Sequence, residues 1–282
     1  MAFDGFLMAA LTKELSDRLT GGHLQKISQP EQDELILAVK NNRQTWRLVL
    51  SASPSLPLIY LTDKSKTAPL TAPNFCMLLR KHLSGARICR IYQHELERVI
   101  FIEFENRNEL GDLVHRNLVI EIMGKHSNII FLDEENKIVD SIRHVSALVS
   151  SVREVLPGRT YFIPNTREKH NPFELTTELW MTELTKQPVS IAKGLCNYLT
   201  GFSFSMAQEV AYRCHLDGDD PFASCNGNQL STLLSCLRAL MEHVKNGNFE
   251  PEIVFHNGEP VEFSAFEMKR YEAEGYEHRP FE

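Results

Sequence analysis

Apolar residues recur at three- and four-residue intervals near the start of the chain, at Phe3, Phe6, Leu7, Ala10, Leu11, Leu15 and Leu19. That spacing draws one apolar stripe along a helix, and Gly21-Gly22 marks its end. The period then changes. Short aliphatic runs, "HLQKISQ", "ELILAVK", "WRLVLSA" and "PLIYLT", follow one another across polar or proline-bearing turns and predict strands. Pro73 is placed to open a second helix over "NFCMLLRKHLSG", which Gly85 can close. "ARICRIYQ", "RVIFIEFE", "LVIEIM", "NIIFLD" and "KIVDSIRHV" continue the strand character. About nine strands and two helices, joined mostly by connections too short for helical crossovers, predict a mainly antiparallel, sandwich-like or barrel-like β domain over residues 1–170.

Past the proline- and charge-rich connector "REVLPGRTYFIPNTREKHNPFEL" the pattern turns helical, and residues 171–250 predict an all-helical domain. Within it, "LTGFSFSMAQEV" has the Leu-x-Gly-aromatic-small turn of a helix-hairpin-helix module, whose amides can receive a phosphate at a helix N-terminus. A second glycine is usual there and Ser203 holds its place, so an ordinary packing turn between helices is the alternative. Residues 251–282 return to strand character around Asn257-Gly258, a hairpin signal. The expected class is α+β: a β-rich domain with two helices, a helical domain and a C-terminal β-hairpin.

Charge divides the chain in the same way. The net charge of −7 argues against a generic nucleic-acid binder, but residues 1–170 carry 22 Lys and Arg against 20 Asp and Glu, whereas residues 171–282 carry 8 against 17. A basic stripe from Lys64 to Arg98 holds seven cations and two acids, with His82 and His94 interleaved. Such a stripe is either a solvated face or a phosphate-binding surface. The six cysteines never form a CxxC pair, so neither a zinc site nor a disulfide framework is expected. The N-terminal segment has no signal-peptide pattern, and no run approaches the roughly 20 apolar residues of a membrane span. A cytoplasmic protein with no membrane partner is expected.

There is no glycine-rich phosphate loop, GxSxG elbow or HExxH, so no catalytic residue, metal ligand or cofactor is assigned. Three short motifs remain. In "FDG", Asp4 can cap the first helix. In "ELERVIF", Glu97-Arg98 stands at the entry to a strand and can be a surface ion pair. In "GKHSN", residues 124–128 set a polar cluster between two apolar strands; either Ser127 and Asn128 satisfy the turn's own backbone, or the side chains face a ligand.

The segments "MAFDGFLMAALTKEL", "GGHLQKISQP", "PNFCMLLRKHLSGARICRIYQ", "EIMGKHSNIIFLD", "VDSIRHV" and "REVLPGRTY" together resemble the N-terminal half of the NFACT family. That family comprises bacterial RqcH proteins, eukaryotic NEMF-type factors and proteins once called fibronectin-binding protein A-like. The resemblance implies a glycosylase-like fold of the formamidopyrimidine type and a non-enzymatic role in ribosome-associated quality control. It implies as partners the large ribosomal subunit with peptidyl-tRNA, and tRNA, alanyl-tRNA in the bacterial case, so that untemplated alanines extend the stalled chain. The family's coiled-coil pair and further RNA-binding domain are not in this sequence, which is expected to be the N-terminal part of a longer protein.

Residue by residue, Asp4 matches the family's acidic residue near the start of the first helix. Arg98 matches the arginine of an Asp-Arg pair implicated in tRNA handling, with Glu97 where the aspartate usually stands. Arg80, Lys81, Arg98 and Lys125 are then expected to clamp phosphates and His126, Ser127 and Asn128 to donate to RNA, with the 124–128 turn near Glu97-Arg98 in one groove. Fibronectin binding, ribosome docking without a tRNA site, and a DNA glycosylase are the alternatives. The last lacks the N-terminal proline nucleophile, since Met1 is followed by Ala2 and Phe3.

Overall fold

Asp4 starts the first helix. Its Oδ1 accepts the backbone N–H groups of Phe6 (3.1 Å) and Leu7 (3.0 Å), two of the donors that any helix leaves unpaired in its first turn. The helix, α1, runs over Gly5–Leu19. The structure, a computed structural model, describes residues 3–164 and 169–281. Phe6, Leu7, Leu15 and Leu19 of the predicted stripe are buried, while Phe3, Ala10 and Leu11 are half-buried at its margin.

The chain is α+β and divides into two compact units. One holds residues 11–94 and 99–164; the other gathers residues 3–10, 95–98 and 169–281. In the first, β1 (His23–Glu31), β2 (Glu34–Asn41), β3 (Gln44–Ser51), β4 (Leu58–Thr62), β5 (Arg87–Gln93), β6 (Val99–Arg107), β7 (Leu113–Glu121), β8 (Asn128–Leu132) and β9 (Ile138–Ser141) form one antiparallel sheet. Its order is β4-β3-β2-β1-β5-β6-β7-β8-β9. Two meanders meet where β1 pairs with β5 through His23 and Arg87, next to the hydrogen bonds from Gly21 N to Ile88 O and from Leu24 N to Ala86 O, each 2.8 Å. The expected sandwich is thus one continuous sheet. Its ends curl toward each other, as shown by Arg143, just past β9, donating from Nη2 to Ala52 O, just past β3, at 3.1 Å.

Helix α2 (Asn74–Leu83) lies on β1, burying Phe75, Cys76, Leu79 and Leu83 while Cys76 Sγ and Arg80 Nε donate to Ile27 O. In β8 all five residues are buried, as are Val99–Ile102 of β6. Strands covered on both faces read as continuous apolar runs instead of alternating ones.

The second unit contains α3 (Thr177–Thr182), α4 (Ile191–Tyr198), α5 (Phe204–Arg213) and α6 (Gly227–Lys245). It also contains a three-stranded sheet, ordered β11-β10-β12, of β10 (Glu252–His256), β11 (Glu259–Ser264) and β12 (Tyr276–Pro280). This grouping differs from three consecutive segments at 1–170, 171–250 and 251–282. The helices do not close a core alone: Trp180, Leu195, Phe222, Leu233 and Leu237 share one with Phe6 and Leu96 from early in the chain and with Val254, Phe266 and Met268 from its last part. Phe6 meets Phe202 edge-on, with ring centroids 4.9 Å apart.

Candidate nucleic-acid interface

Three backbone segments of the second unit approach too closely for side chains to come between them. Gly5 N–H donates to Gly201 O at 2.9 Å. A Cβ on Gly5 would lie 2.1 Å from Leu96 O, and one on Gly201, whose φ is +84°, would lie 2.5 Å from Leu96 Cβ. The glycines of "FDG" and "LTGFS" therefore let both strands of chain touch the residue before Glu97-Arg98. Beside this junction Ser203 caps α5, accepting from Met206 N at 3.1 Å and donating to Asp4 Oδ2 at 2.7 Å. The serine in place of a second hairpin glycine is a helix cap, and it ties α5 to the cap of α1.

The capping role of Asp4 is thus realised, and its carboxyl accepts from three protein donors. Burial pushes its pKa up to about 6, against the opposing pull of those hydrogen bonds from Leu7, Ser203 and Phe6. Glu97 is half-buried and engaged with other groups. Arg98 is exposed, and its guanidinium makes no hydrogen bond or ion pair among the described residues. The junction thus presents one unneutralised cation on a rigid support.

In the first unit the "GKHSN" stretch is a single 3₁₀ turn, Gly124–His126, leading into β8. Gly124 has φ +58°, a conformation glycine adopts without strain. Ser127 and Asn128, expected to face a ligand, instead point inward and are 1% and 2% exposed. Ser127 Oγ accepts from Met123 N at 2.8 Å. Asn128 donates to Arg143 O at 2.9 Å and accepts from Ile129 N and Arg143 N. A buried polar side chain in an apolar sheet must pair within the protein, so these two stabilise the turn and only Lys125 and His126 remain exposed on it. Arg143 Nη1 closes the turn from outside, donating to Lys125 O (3.1 Å) and Ser127 O (3.4 Å).

Arg80 and Lys81 are exposed at the C-terminal end of α2, the former with its Nε fixed on Ile27 O at 2.9 Å. Of the nine candidates, the structure brings Asp4, Glu97 and Arg98 into one unit. Arg80, Lys81, Lys125, His126, Ser127 and Asn128 belong to the other.

Sequence reasoning missed a buried charged cluster. Glu121, at the end of β7, is fully buried and pairs with Arg153, while Tyr161 Oη donates to it at 2.8 Å. Burial, and then the Glu121 charge, push the Tyr161 phenol well above its ordinary value. The cluster clasps the segment after β9 onto the sheet. The available signal was a carboxylate inside the apolar run "LVIEIM", which requires a partner. Among the described residues no cluster of potential metal ligands occurs, and no helix is long and apolar enough to cross a membrane.

The family model for the NFACT N-terminal and middle domains matches residues 4–282. The chain is 36% identical over 259 residues to the Rqc2 homolog RqcH of Bacillus subtilis, covering 92% of this chain and 44% of that protein. It is 28% identical over 177 residues to ribosome quality control complex subunit 2 of Saccharomyces cerevisiae, covering 60% of this chain and 16% of that protein. Among solved structures, the N-terminal part of the fibronectin/fibrinogen-binding protein of Streptococcus suis superposes with a TM-score of 0.75 at 32% identity, over 94% of this chain and 90% of that one. The chain spans less than half the length of the curated relatives it matches.

Proposed function

The chain belongs to the NFACT family, and on that premise we propose that it is the tRNA-binding and ribosome-docking part of a ribosome quality-control factor. Its partners in this reading are a large ribosomal subunit that still carries peptidyl-tRNA, and an incoming tRNA, alanyl-tRNA for untemplated alanine tailing. No catalytic group is required of this chain, because the ribosome itself forms the peptide bond. The observation that carries the reading is Arg98, an unneutralised guanidinium on the junction that joins residues 4–5, 96–98 and 201–203. Arg binds phosphate in a forked geometry and fixes the register of an RNA backbone without reading sequence. Arg80, Lys81, Lys125 and His126 supply further phosphate contacts; Ser127 and Asn128 act only by shaping the turn. The α4–α5 connection serves as a helix-hairpin-helix-like element, and the β-rich unit as a glycosylase-like platform in a cytoplasmic protein.

The test is tRNA binding by this 282-residue chain at 50 and 200 mM salt, with Arg98→Ala and Lys125→Ala alongside the parent. We expect binding that falls steeply with salt, and a slope of log affinity against log salt reduced by about one in each variant, as for loss of one phosphate contact. A parent that does not bind refutes a tRNA site in this chain and leaves a ribosome-docking module, and variants that bind as the parent does refute a part for Arg98 and Lys125. The name of the streptococcal relative favours a second reading, fibronectin binding. Immobilised fibronectin titrated with the same chain tests it, and saturable binding insensitive to Arg98→Ala supports it.

A further inference from the structure

A cavity of about 1000 Å³, whose lining does not include Arg98, opens in the second unit between the C-terminal end of α5 with the loop after it and the segment that leads into β12. Its walls carry the aromatic rings of Tyr212, Tyr271 and Tyr276 and the cations Arg213, Lys269 and Arg270. The cations are conspicuous because residues 171–282 contain only 8 Lys and Arg against 17 acids, and three of those eight line this one cavity.

Two of these cations have structural duties. Arg213 Nε donates to the fully buried Glu209 at 2.7 Å, and Arg270 Nη2 donates to Ser205 Oγ at 3.0 Å and to Tyr271 Oη at 2.6 Å. The third does not. Lys269 is exposed, its backbone N–H is engaged with Glu209 and its carbonyl with Glu272 N, and its ammonium has no partner among the described residues. Tyr212 is 48% exposed, a large ring held at the rim of a cavity. Tyr271 and Tyr276 lie 5.1 Å apart at 51°, and Tyr276 leans on His256 at 4.6 Å. Four buried side-chain atoms among the described residues lack a hydrogen-bond partner. Two of them are Arg270 Nε, on a lining residue, and His256 Nδ1, on the ring against Tyr276. Buried donors are otherwise almost always paired.

We propose that this cavity binds one unpaired nucleotide, with the base stacked on Tyr212 and the phosphate held by Lys269 beside the guanidinium groups of Arg213 and Arg270. The volume lies at the upper end of the roughly 300–1000 Å³ of small-ligand sites, ample for a nucleoside monophosphate. Tyrosine faces take any base by stacking, and cations take the phosphate, which is how single-stranded RNA is held without reading its sequence. Arg213 and Arg270 are paired with Glu209 and Glu262, and Asp217 and Glu272 also line the cavity, so among the described residues Lys269 is its one unpaired cation and the site suits a single phosphate, not the dense charge of a duplex. The nucleotide can be free or an extruded residue of an RNA. Its assignment to RNA rests on the function proposed above; the site itself does not.

The experiment titrates the parent chain, Tyr212→Ala, Lys269→Ala and Arg98→Ala with AMP, a ten-residue single-stranded RNA and tRNA. Both cavity substitutions fall on exposed side chains whose heads hold nothing in place, so the fold is expected to survive, as the far-ultraviolet circular dichroism will show. Alanine at a stacking ring typically lowers affinity by roughly 5- to 150-fold. The proposal expects a loss in that range for Tyr212→Ala and a smaller, salt-dependent loss for Lys269→Ala, with AMP binding unchanged in Arg98→Ala. Loss of single-stranded RNA without measurable AMP binding also supports the site and identifies RNA as the source. If neither cavity variant alters binding of AMP or single-stranded RNA, the proposal is overturned. Loss of tRNA in Arg98→Ala alone would in that case leave the tRNA function intact.

Discussion

Asp4→Asn separates the capping role of this residue from its charge. The side-chain oxygen of asparagine can still accept from Phe6 N and Leu7 N, so the cap is kept. What disappears is a carboxyl raised from 3.8 to about 6 by burial. A gap of that size corresponds to about 3 kcal/mol between protonated and ionised folded forms, at about 1.36 kcal/mol per pH unit. The sign follows from the folded value lying above the unfolded one. The folded state holds the proton more tightly, so the stabilisation is complete below pH 3.8 and is lost as pH rises through 6. Between pH 5 and pH 7.5 the parent should therefore lose about 1.3 kcal/mol that Asp4→Asn does not lose. Urea unfolding of both proteins at the two pH values, followed by tryptophan fluorescence, measures the difference directly. Asp4→Ala, which also removes the cap, should be less stable than Asp4→Asn by about 1 kcal/mol at either pH. Parallel stability curves for parent and Asp4→Asn across this range would show that the carboxyl is hydrated, and the reasoning from burial would be wrong.

Gly201→Ala must place a Cβ 2.5 Å from Leu96 Cβ at φ +84°, and it should destabilise by more than about 2 kcal/mol, read as a lowered urea midpoint. Arg153→Met leaves the Glu121 carboxylate buried without its cation, and a loss of about 3–5 kcal/mol is expected, whereas Arg153→Met with Glu121→Leu should recover much of it in the same assay. Arg143→Ala removes the donors to Lys125 O and Ser127 O. Amide hydrogen exchange of residues 124–128 should accelerate at least tenfold while β6 and β7 stay protected; unchanged exchange would mean that Ser127 and Asn128 suffice to hold the turn.

Periodicity made the β-rich part legible because each strand there buries residues that declare themselves locally. The runs "RVIFIEFE" and "NIIFLD" became β6 and β8, and Pro73 stands directly before α2. The curling of the sheet was not legible, since what reveals it is a contact between Arg143 and Ala52, ninety-one positions apart. The same limit applies to the candidate site. "FDG", "ELER" and "LTGFS" each attracted notice, but only a backbone approach between residues 5, 96 and 201 explains the two glycines together. At "GKHSN" the residue types suit both a ligand and a self-satisfied turn, and burial decides for Ser127 and Asn128 what composition cannot. β12, with the polar sequence "YEHRP", is a strand because β10 offers it an edge, not because its own pattern requires one.

The gathering of residues 3–10, 95–98 and 169–281 into one unit has a consequence in time. Synthesis proceeds from the N-terminus, so residues 11–164 can emerge and fold while Phe6 and Leu96 still lack most of the core they enter. About 115 further residues must be made before β12 is complete, which at roughly 5–20 residues per second is an interval of about 6 to 23 seconds. For that interval the first turn of α1 holds an aromatic ring with nowhere to bury it, and any pause in translation before residue 281 prolongs its exposure.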